Sequence, residues 1–144
     1  MKSLFIAAAV SLLATSAIAD PIEDRKALMK ERGGVMQVLV PIAQGKQPFD
    51  AAVVMEQLEK LNANAQSVDV QALWPEGSDT GDTRSLPKIW EDMEGFTAAH
   101  EKFKADTAAA VEANPQDLEA FRAVMGTVGG NCGSCHETFR RADS

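Results

Sequence analysis

The apolar residues of the chain include two early stretches with the three-and-four spacing of amphipathic helices. The first covers residues 21–44, and the second begins at Asp50, a residue type that caps helices, and fades near Ser67. The first stripe comprises Leu28, Met29, Arg32, Val35, Met36, Leu39, Val40 and Ala43, and the second comprises Val53, Val54, Leu58, Leu61 and Ala65. The pattern predicts two helices, each with one buried face.

Two later stretches predict a third and a fourth helix. The third starts around Ser85 to Pro87, and its stripe includes Ile89, Met93, Phe96, His100, Phe103 and Ala110. His100 is a lone imidazole on that apolar face, which favours a core or boundary residue with a hydrogen bond over a ligand. Asn114 is the predicted cap of the fourth helix, and Pro115 is its predicted first residue.

The fourth helix has the most regular pattern of the chain. Its apolar positions alternate three and four residues apart: Leu118, Phe121, Met125, Val128, Cys132, Cys135 and Phe139. Such a seam faces the interior of a bundle. Residues 68–73 fit either a helical extension or a strand-like segment, and residues 75–84 form a loop. With no convincing strand, the sequence predicts an all-α, antiparallel four-helix bundle with ligand sites in its core.

The first 19 residues predict a cleaved signal peptide. Lys2 provides a positive start, Leu4 to Leu13 form a short apolar run, and Ala17-Ile18-Ala19 is a small-x-small cleavage site. The run is too short to span a bilayer, although a retained anchor or a buried helix is the alternative. We therefore expect one domain, residues 20–144, in a soluble periplasmic protein without membrane insertion.

The 144-residue chain has a formal net charge of −7. This acidity argues against nucleic acid and against anionic membrane surfaces as partners, since both attract basic proteins. It permits electrostatic steering toward a basic partner protein, but a solubilising surface explains the same charge.

Near the C-terminus, Cys132-Gly133-Ser134-Cys135-His136 has the spacing by which haem is attached covalently in c-type proteins. The two thiols add to the vinyl groups of the porphyrin, and the adjacent histidine ligates the iron. Both cysteines of the chain are thereby used. Because both lie on the inward seam, we expect one covalently bound haem c per chain, placed in the bundle core.

Three alternatives explain the motif less well. A disulfide oxidoreductase places Cys-x-x-Cys near a βαβ pattern, and no strand pattern is nearby. A structural zinc site takes four ligands, for which only Cys132, Cys135, His136 and the distant His100 are available. A plain disulfide gives His136 no role.

A haem motif at the C-terminal end of four helices resembles the class II cytochromes c, which comprise the cytochromes c′ and their low-spin relatives. The resemblance extends over four further features: the segments Arg25-Lys26-Ala27-Leu28-Met29-Lys30, Gly45 to Asp50 and Leu86-Pro87-Lys88-Ile89-Trp90, and the trailing aromatic and arginine of Cys132 to Arg140. It implies Cys132 and Cys135 as haem thioethers and His136 as the proximal iron ligand. It also implies that Arg25 lies near a haem propionate, although a solvated helix-face charge is the alternative. Arg140 would contact a propionate or shield His136, unless it is an exposed terminal arginine.

The resemblance makes Met29 the residue that decides the function. In the low-spin relatives a methionine at this position of the first helix ligates the iron, whereas in five-coordinate cytochromes c′ an apolar residue leaves a site for nitric oxide or carbon monoxide. Met29 predicts a low-spin histidine/methionine haem, a one-electron carrier. Packing of Met29 in the core is the alternative to ligation, and Met36 is the second candidate ligand.

The carrier hypothesis makes the partners redox proteins, whose identity the sequence does not contain. No hydrolytic triad, phosphate loop or nucleotide fingerprint is present, so we do not expect an enzyme. Monomer and homodimer are both compatible with the sequence.

Overall fold

The computed structural model describes residues 20–142, so the predicted signal peptide lies outside the described residues. Within that range the chain forms six helices: α1 (Pro21–Ala43), α2 (Ala51–Gln66), α3 (Val70–Leu73), α4 (Lys88–Glu91), α5 (Met93–Ala113) and α6 (Leu118–Phe139). No helix in this part of the chain is both long and apolar enough to cross a membrane.

The four long helices pack as a closed ring in which α1 contacts α2, α2 contacts α5, α5 contacts α6, and α6 returns to α1. Side-chain bonds show that α2 and α5 run in opposite directions. The Thr107 hydroxyl donates to Asn62 Oδ1 at 3.2 Å, and Gln66 Nε2 donates to the Lys104 carbonyl at 3.2 Å. Short connections reverse the chain between α1 and α2 and between α5 and α6. The predicted antiparallel four-helix bundle is confirmed.

The apolar stripes form two separate clusters. The larger one fills the bundle and contains Val35, Leu39, Ile42, Val54, Leu58, Leu61, Ala65, Phe103, Ala110, Phe121, Met125 and Val128. The smaller one contains Val68, Val70, Trp74, Ile89, Phe96 and Phe139. Burial of each of the larger aliphatic and aromatic side chains in these clusters contributes roughly 1.5–3 kcal/mol, so the apolar pattern of the sequence is also the main source of stability.

The third predicted helix is not continuous. It divides at Asp92, whose backbone leaves the helical region at φ −136° and ψ 57°. The Asp92 carboxylate then caps α5 by accepting from Gly95 N at 3.1 Å. A β-carbon on Gly95 would lie 2.6 Å from that carboxylate, so the glycine leaves the space for the cap. The expectation of one helix from Pro87 onward was therefore wrong.

The predicted start of the fourth helix was also wrong. Asn114 ends α5 in the left-handed conformation, at φ 42°, a role that asparagine accepts more readily than most residues. Pro115 is buried in the connection, and Asp117 caps α6 by accepting from Ala120 N at 2.8 Å. At α2 the predicted cap is confirmed, because Asp50 accepts from Ala52 N and Val53 N.

The long segment between α2 and α5 is tied to the end of the chain. Its undecided part, residues 68–73, contains the single turn α3, which Asp69 caps. Leu86 N donates to the Phe139 carbonyl at 3.0 Å, and Arg141 N donates to the Arg84 carbonyl at 2.8 Å. These bonds hold the segment that precedes α4 against the C-terminal end of α6.

Candidate functional site

A cavity of about 620 Å³ lies at one end of the bundle. Its walls are the N-terminal half of α1, the N-terminal half of α5, the C-terminal turns of α6 and the segment 82–85. A cavity of this size is typical of cofactor sites, which span roughly 300–1,000 Å³. The smaller apolar cluster adjoins it, since Trp74, Ile89, Phe96 and Phe139 belong to both.

Cys132 and Cys135 project from α6 into this cavity as free thiols, each half-buried. Residues three apart lie on one face of a helix, so the spacing places both sulfurs in the same space. Burial raises the pKa of both thiols, and the positive charge of Arg32 opposes that rise. The arrangement offers two sulfurs side by side on one wall, as attachment to a flat ring requires.

His136 lies one turn after Cys132, with one side exposed and the other lining the cavity. Burial lowers the pKa of its imidazole, and the charges of Arg140 and Arg32 lower it further. The neutral imidazole is the form that binds a metal, so the surroundings favour the ligating state at neutral pH.

Met29 lines the same cavity from α1. Its side chain is 36% exposed, which is unusual for a large apolar residue with a core available. Met36, two turns further along α1, also lines the cavity and is partly buried. The fold therefore brings Met29, Met36, the two thiols and His136 around one space.

Arg25 is buried, with 5% of its surface exposed, which does not fit the alternative of a solvated helix-face charge. Its Nη2 donates to the Ser78 carbonyl at 2.9 Å, and its Nη1 donates to the Ser78 hydroxyl at 3.3 Å. Its guanidinium lies 5.5 Å from the ring centre of Trp74 and 6.0 Å from that of Trp90. Among the described residues, no acceptor reaches its buried Nε atom.

The cavity lining is strongly cationic. Among the described residues it contains five cations, Arg25, Lys26, Arg32, Arg84 and Arg140, against one carboxylate, Asp82. The ammonium of Lys26 pairs with the carboxylate of Asp82 at 2.5 Å. Arg140 is half-buried, and its backbone forms an isolated antiparallel β-bridge with Ser85. A ligand with an apolar body and anionic groups matches this lining, because the cations stabilise negative charge.

Arg32 is a site residue that sequence reasoning missed. The pattern placed it on the buried stripe of α1 without a role, yet its guanidinium lies on the cavity wall. Nε donates to Asn64 Oδ1 at 2.6 Å, and the guanidinium lies 4.7 Å from the ring centre of Phe103. Its Nη2 is buried and has no acceptor among residues 20–142. The available signal was a charged residue at a core-facing position.

His100 is buried, with 5% of its surface exposed, and borders the cavity. Its ring lies 4.8 Å from that of Phe96 and 5.3 Å from that of Trp74. Burial lowers its pKa to about 4, and the charges of Arg32 and Lys104 act in the same direction. His100 is thus a neutral, aromatic-packed side chain at neutral pH.

These residues fit a covalently attached haem. The cavity supplies thiols and an imidazole on one wall, a thioether on another and cations for two propionates. The buried nitrogen atoms of Arg25 and Arg32 that lack protein acceptors point to a polar group beyond the protein itself. No group of three or more His, Cys, Asp or Glu side chains in the described part of the chain is arranged to hold a bare metal ion.

Comparison with known proteins gives one consistent result. The sequence profile of the family described as Cytochrome C' matches residues 20–140. Cytochrome c-556 of Agrobacterium fabrum is 34% identical over 142 residues, which cover 97% of this chain and 95% of that protein.

Solved structures show the same likeness. The structure of cytochrome c' from Rhodopseudomonas palustris superposes with a TM-score of 0.80 at 37% identity, covering 88% of this chain and 99% of that one. A second cytochrome c', described by an unusual ligand-controlled dimer dissociation, has a TM-score of 0.77 at 27% identity and covers 90% of this chain and all of its own.

Proposed function

Since the chain belongs to the class II cytochrome c family and therefore carries one covalently attached haem c, we propose that it is a periplasmic one-electron carrier with a low-spin, six-coordinate haem. When bound, the haem supplies the iron(III)/iron(II) couple, which gains one electron from a reduced partner protein and loses it to an oxidised one. No substrate is turned over, so the protein is not an enzyme.

Each site residue has a defined part in this proposal. Cys132 and Cys135 form the thioethers, which prevent loss of the cofactor. His136 would bind the iron through a ring nitrogen, and Met29 would bind it through its sulfur. A thioether together with an imidazole would raise the reduction potential relative to other ligand sets and would leave no open position.

The observation that carries the proposal is the position of Met29. Its side chain lines the same cavity as the two thiols and His136, although it is more than a hundred residues distant in sequence. Its side chain is exposed and belongs to neither of the two apolar clusters, so it is available to a group bound in the cavity. An ordinary core methionine would lie among apolar side chains, as Met125 does.

Two arginines hold the carboxylates of the cofactor in this proposal. Arg25 has an unpartnered Nε beside the cavity, and its remaining nitrogens are fixed by Ser78. Arg140 follows His136 by one turn and lines the same space. Guanidinium groups suit this role, because they form charge-assisted hydrogen bonds with carboxylates.

The second candidate is a five-coordinate cytochrome c′ that binds nitric oxide or carbon monoxide. The exposure of Met29 also favours it, because a side chain that does not fill the cavity leaves room for a small gas. The fold is also similar to those of solved cytochromes c', one of which is described by ligand-controlled dissociation of its dimer.

Absorption spectra of the purified haem protein distinguish the two candidates. The carrier gives low-spin spectra in both oxidation states, a weak far-red sulfur-to-iron band when oxidised, and no response of the reduced form to carbon monoxide. Met29→Leu should produce a high-spin spectrum that responds to the gas. Met125→Leu, which changes a core methionine outside the cavity, is the matched control and should leave the spectrum unchanged, and the same conversion by Met36→Leu instead would assign the ligand to Met36. A wild-type protein that binds carbon monoxide on mixing would overturn the carrier and favour the second candidate.

Residues 1–19 direct export in this proposal, and the partners are redox proteins of the periplasm. Monomer and homodimer both fit the carrier role. Mass measurement of the protein purified from a periplasmic fraction tests export, since the mature chain should begin at Asp20 and carry one haem.

A further inference from the structure

Arg32 is a partly buried positive charge, and its Nη2 atom is fully buried without an acceptor among residues 20–142. It lies one turn after Met29 on α1, and its guanidinium forms part of the cavity wall. Burial lowers the pKa of Arg32, but arginine stays charged in proteins at any ordinary pH. A desolvated cation is unfavourable for folding unless its surroundings compensate for it.

The surroundings of Arg32 hold the charge in place without neutralising it at short range. Asn64, itself buried on α2, accepts from Arg32 Nε and donates to Glu31 Oε2 at 2.5 Å and to the Leu28 carbonyl at 3.3 Å. Phe103 on α5 offers its ring face at 4.7 Å. Among residues 20–142, the partners of the guanidinium are thus an amide and a ring, and the carboxylate of Glu31 is exposed and reached through Asn64.

Arg32 lines the cavity together with side chains from two other helices. His100 and Phe103 line it from α5, and Cys132, Cys135 and His136 line it from α6. A fixed charge on this wall therefore acts on a group that lies between these helices.

We propose that Arg32 sets the reduction potential of the site, holding it above the value that the axial ligands alone would give. The proposal rests on the proposed haem in this cavity, but not on Met29 as its ligand. The oxidised haem carries one more positive charge than the reduced haem, so a fixed cation nearby disfavours oxidation. Asn64 is the positioning residue that keeps the guanidinium on the wall.

Coulomb's law gives the size of the effect. A unit charge roughly 10 Å from the redox centre, at an effective dielectric constant of about 20, changes the equilibrium constant for electron transfer on the order of tenfold. For one electron, tenfold corresponds to about 59 mV. A surface charge at greater distance is screened by salt within about 8–10 Å and should contribute much less.

The test is a redox titration of the purified haem protein in an optically transparent cell, with mediators, at pH 7 and fixed salt. Arg32→Gln should make reduction on the order of tenfold less favourable. Arg32→Lys, which keeps the charge but loses the fork geometry, should stay within about threefold of the wild type. Lys60→Gln, which removes an exposed charge from α2, is the matched control and should leave the potential unchanged.

If the reduction potential of Arg32→Gln shifts no more than that of Lys60→Gln, the proposal is overturned. It is also overturned if Arg32→Lys lowers the potential as much as Arg32→Gln does, because the effect would then come from packing and not from charge. If Arg32→Gln does not fold, Asn64→Asp decides, because a carboxylate bonded to the guanidinium should lower the potential and an unchanged value overturns the proposal. Spectra recorded for each variant show whether haem and axial ligands are retained. Absence of covalent haem in the wild type would instead refute the proposed function.

Discussion

His100 gives the protein a stability that depends on pH. Its imidazole is buried between Phe96 and Trp74, and its pKa is lowered to about 4 from the ordinary 6.5. The unfolded chain therefore takes up a proton on His100 below pH 6.5, whereas the folded protein does so only below about pH 4. Stability from this residue is complete above pH 6.5 and is lost as the pH falls toward 4.

The expected loss follows from proton linkage. Over the window between the two pKa values, the free energy of unfolding falls by about 1.4 kcal/mol per pH unit. Between pH 7 and pH 4.5 the contribution of His100 amounts to about 2.5 kcal/mol. This is a large fraction of the roughly 5–15 kcal/mol that stabilises a typical domain.

Unfolding of the haem protein by the denaturant guanidinium chloride, at pH 7 and at pH 4.5, measures this loss. His100→Phe and His100→Gln should both lose about 2.5 kcal/mol less than the wild type between the two pH values, whatever their stability at pH 7. Subtraction of the variant from the wild type cancels titrations elsewhere, including that of His136. If the difference in unfolding free energy between wild type and variant is the same at both pH values, the linkage is refuted. If only His100→Phe shows the smaller pH-dependent loss, the effect comes from ring packing.

Three further predictions concern the helix ends and the long loop. Asn114→Ala should destabilise the protein by roughly 1–2 kcal/mol, because its backbone is left-handed, whereas Asn114→Gly should stay near the wild type in the same unfolding experiment. Asp117→Ala, which removes the cap of α6, should cost about 1 kcal/mol by the midpoint of thermal unfolding, and an unchanged midpoint would contradict the cap. Arg25→Met should accelerate amide hydrogen exchange of residues 75–84, since it removes both bonds to Ser78. Ser78→Ala, which keeps the main-chain acceptor, should accelerate it much less, and equal rates in the two variants would contradict the tether.

The fold could be predicted because it follows from residue spacing. Stripes at three-and-four intervals required four buried helix faces, and a bundle is the simplest way to bury them. Helix ends were harder, because asparagine and aspartate serve at either end of a helix. Asn114 and Asp117 are three residues apart and both suit a cap, so only the backbone conformation shows that the first ends α5 and the second begins α6.

The residues of the candidate site also fall into two groups, those that the sequence predicts and those that it does not. Cys132, Cys135 and His136 could be predicted from the sequence because their chemistry is local, contained in five consecutive residues. Arg32 could not, because its burial depends on Asn64 and Phe103, which come from two other helices. A cation on an apolar stripe is ordinarily expected to reach solvent with its long stem along the surface. Here the contacts with Asn64 and Phe103 instead hold the guanidinium of Arg32 at the cavity wall.

The distribution of charge makes the protein an electric dipole. The cavity lining carries five cations against one carboxylate, an excess that the two haem propionates offset only in part, whereas the whole chain has a net charge of −7, so the remaining surface is more acidic than the net value indicates. An anionic partner surface would exert a torque that turns the cavity end toward it before contact. Association guided in this way slows as ionic strength rises, even though both molecules carry net charge of the same sign. The face by which the molecule meets its partners is then set by where its arginines lie, and not by its overall acidity.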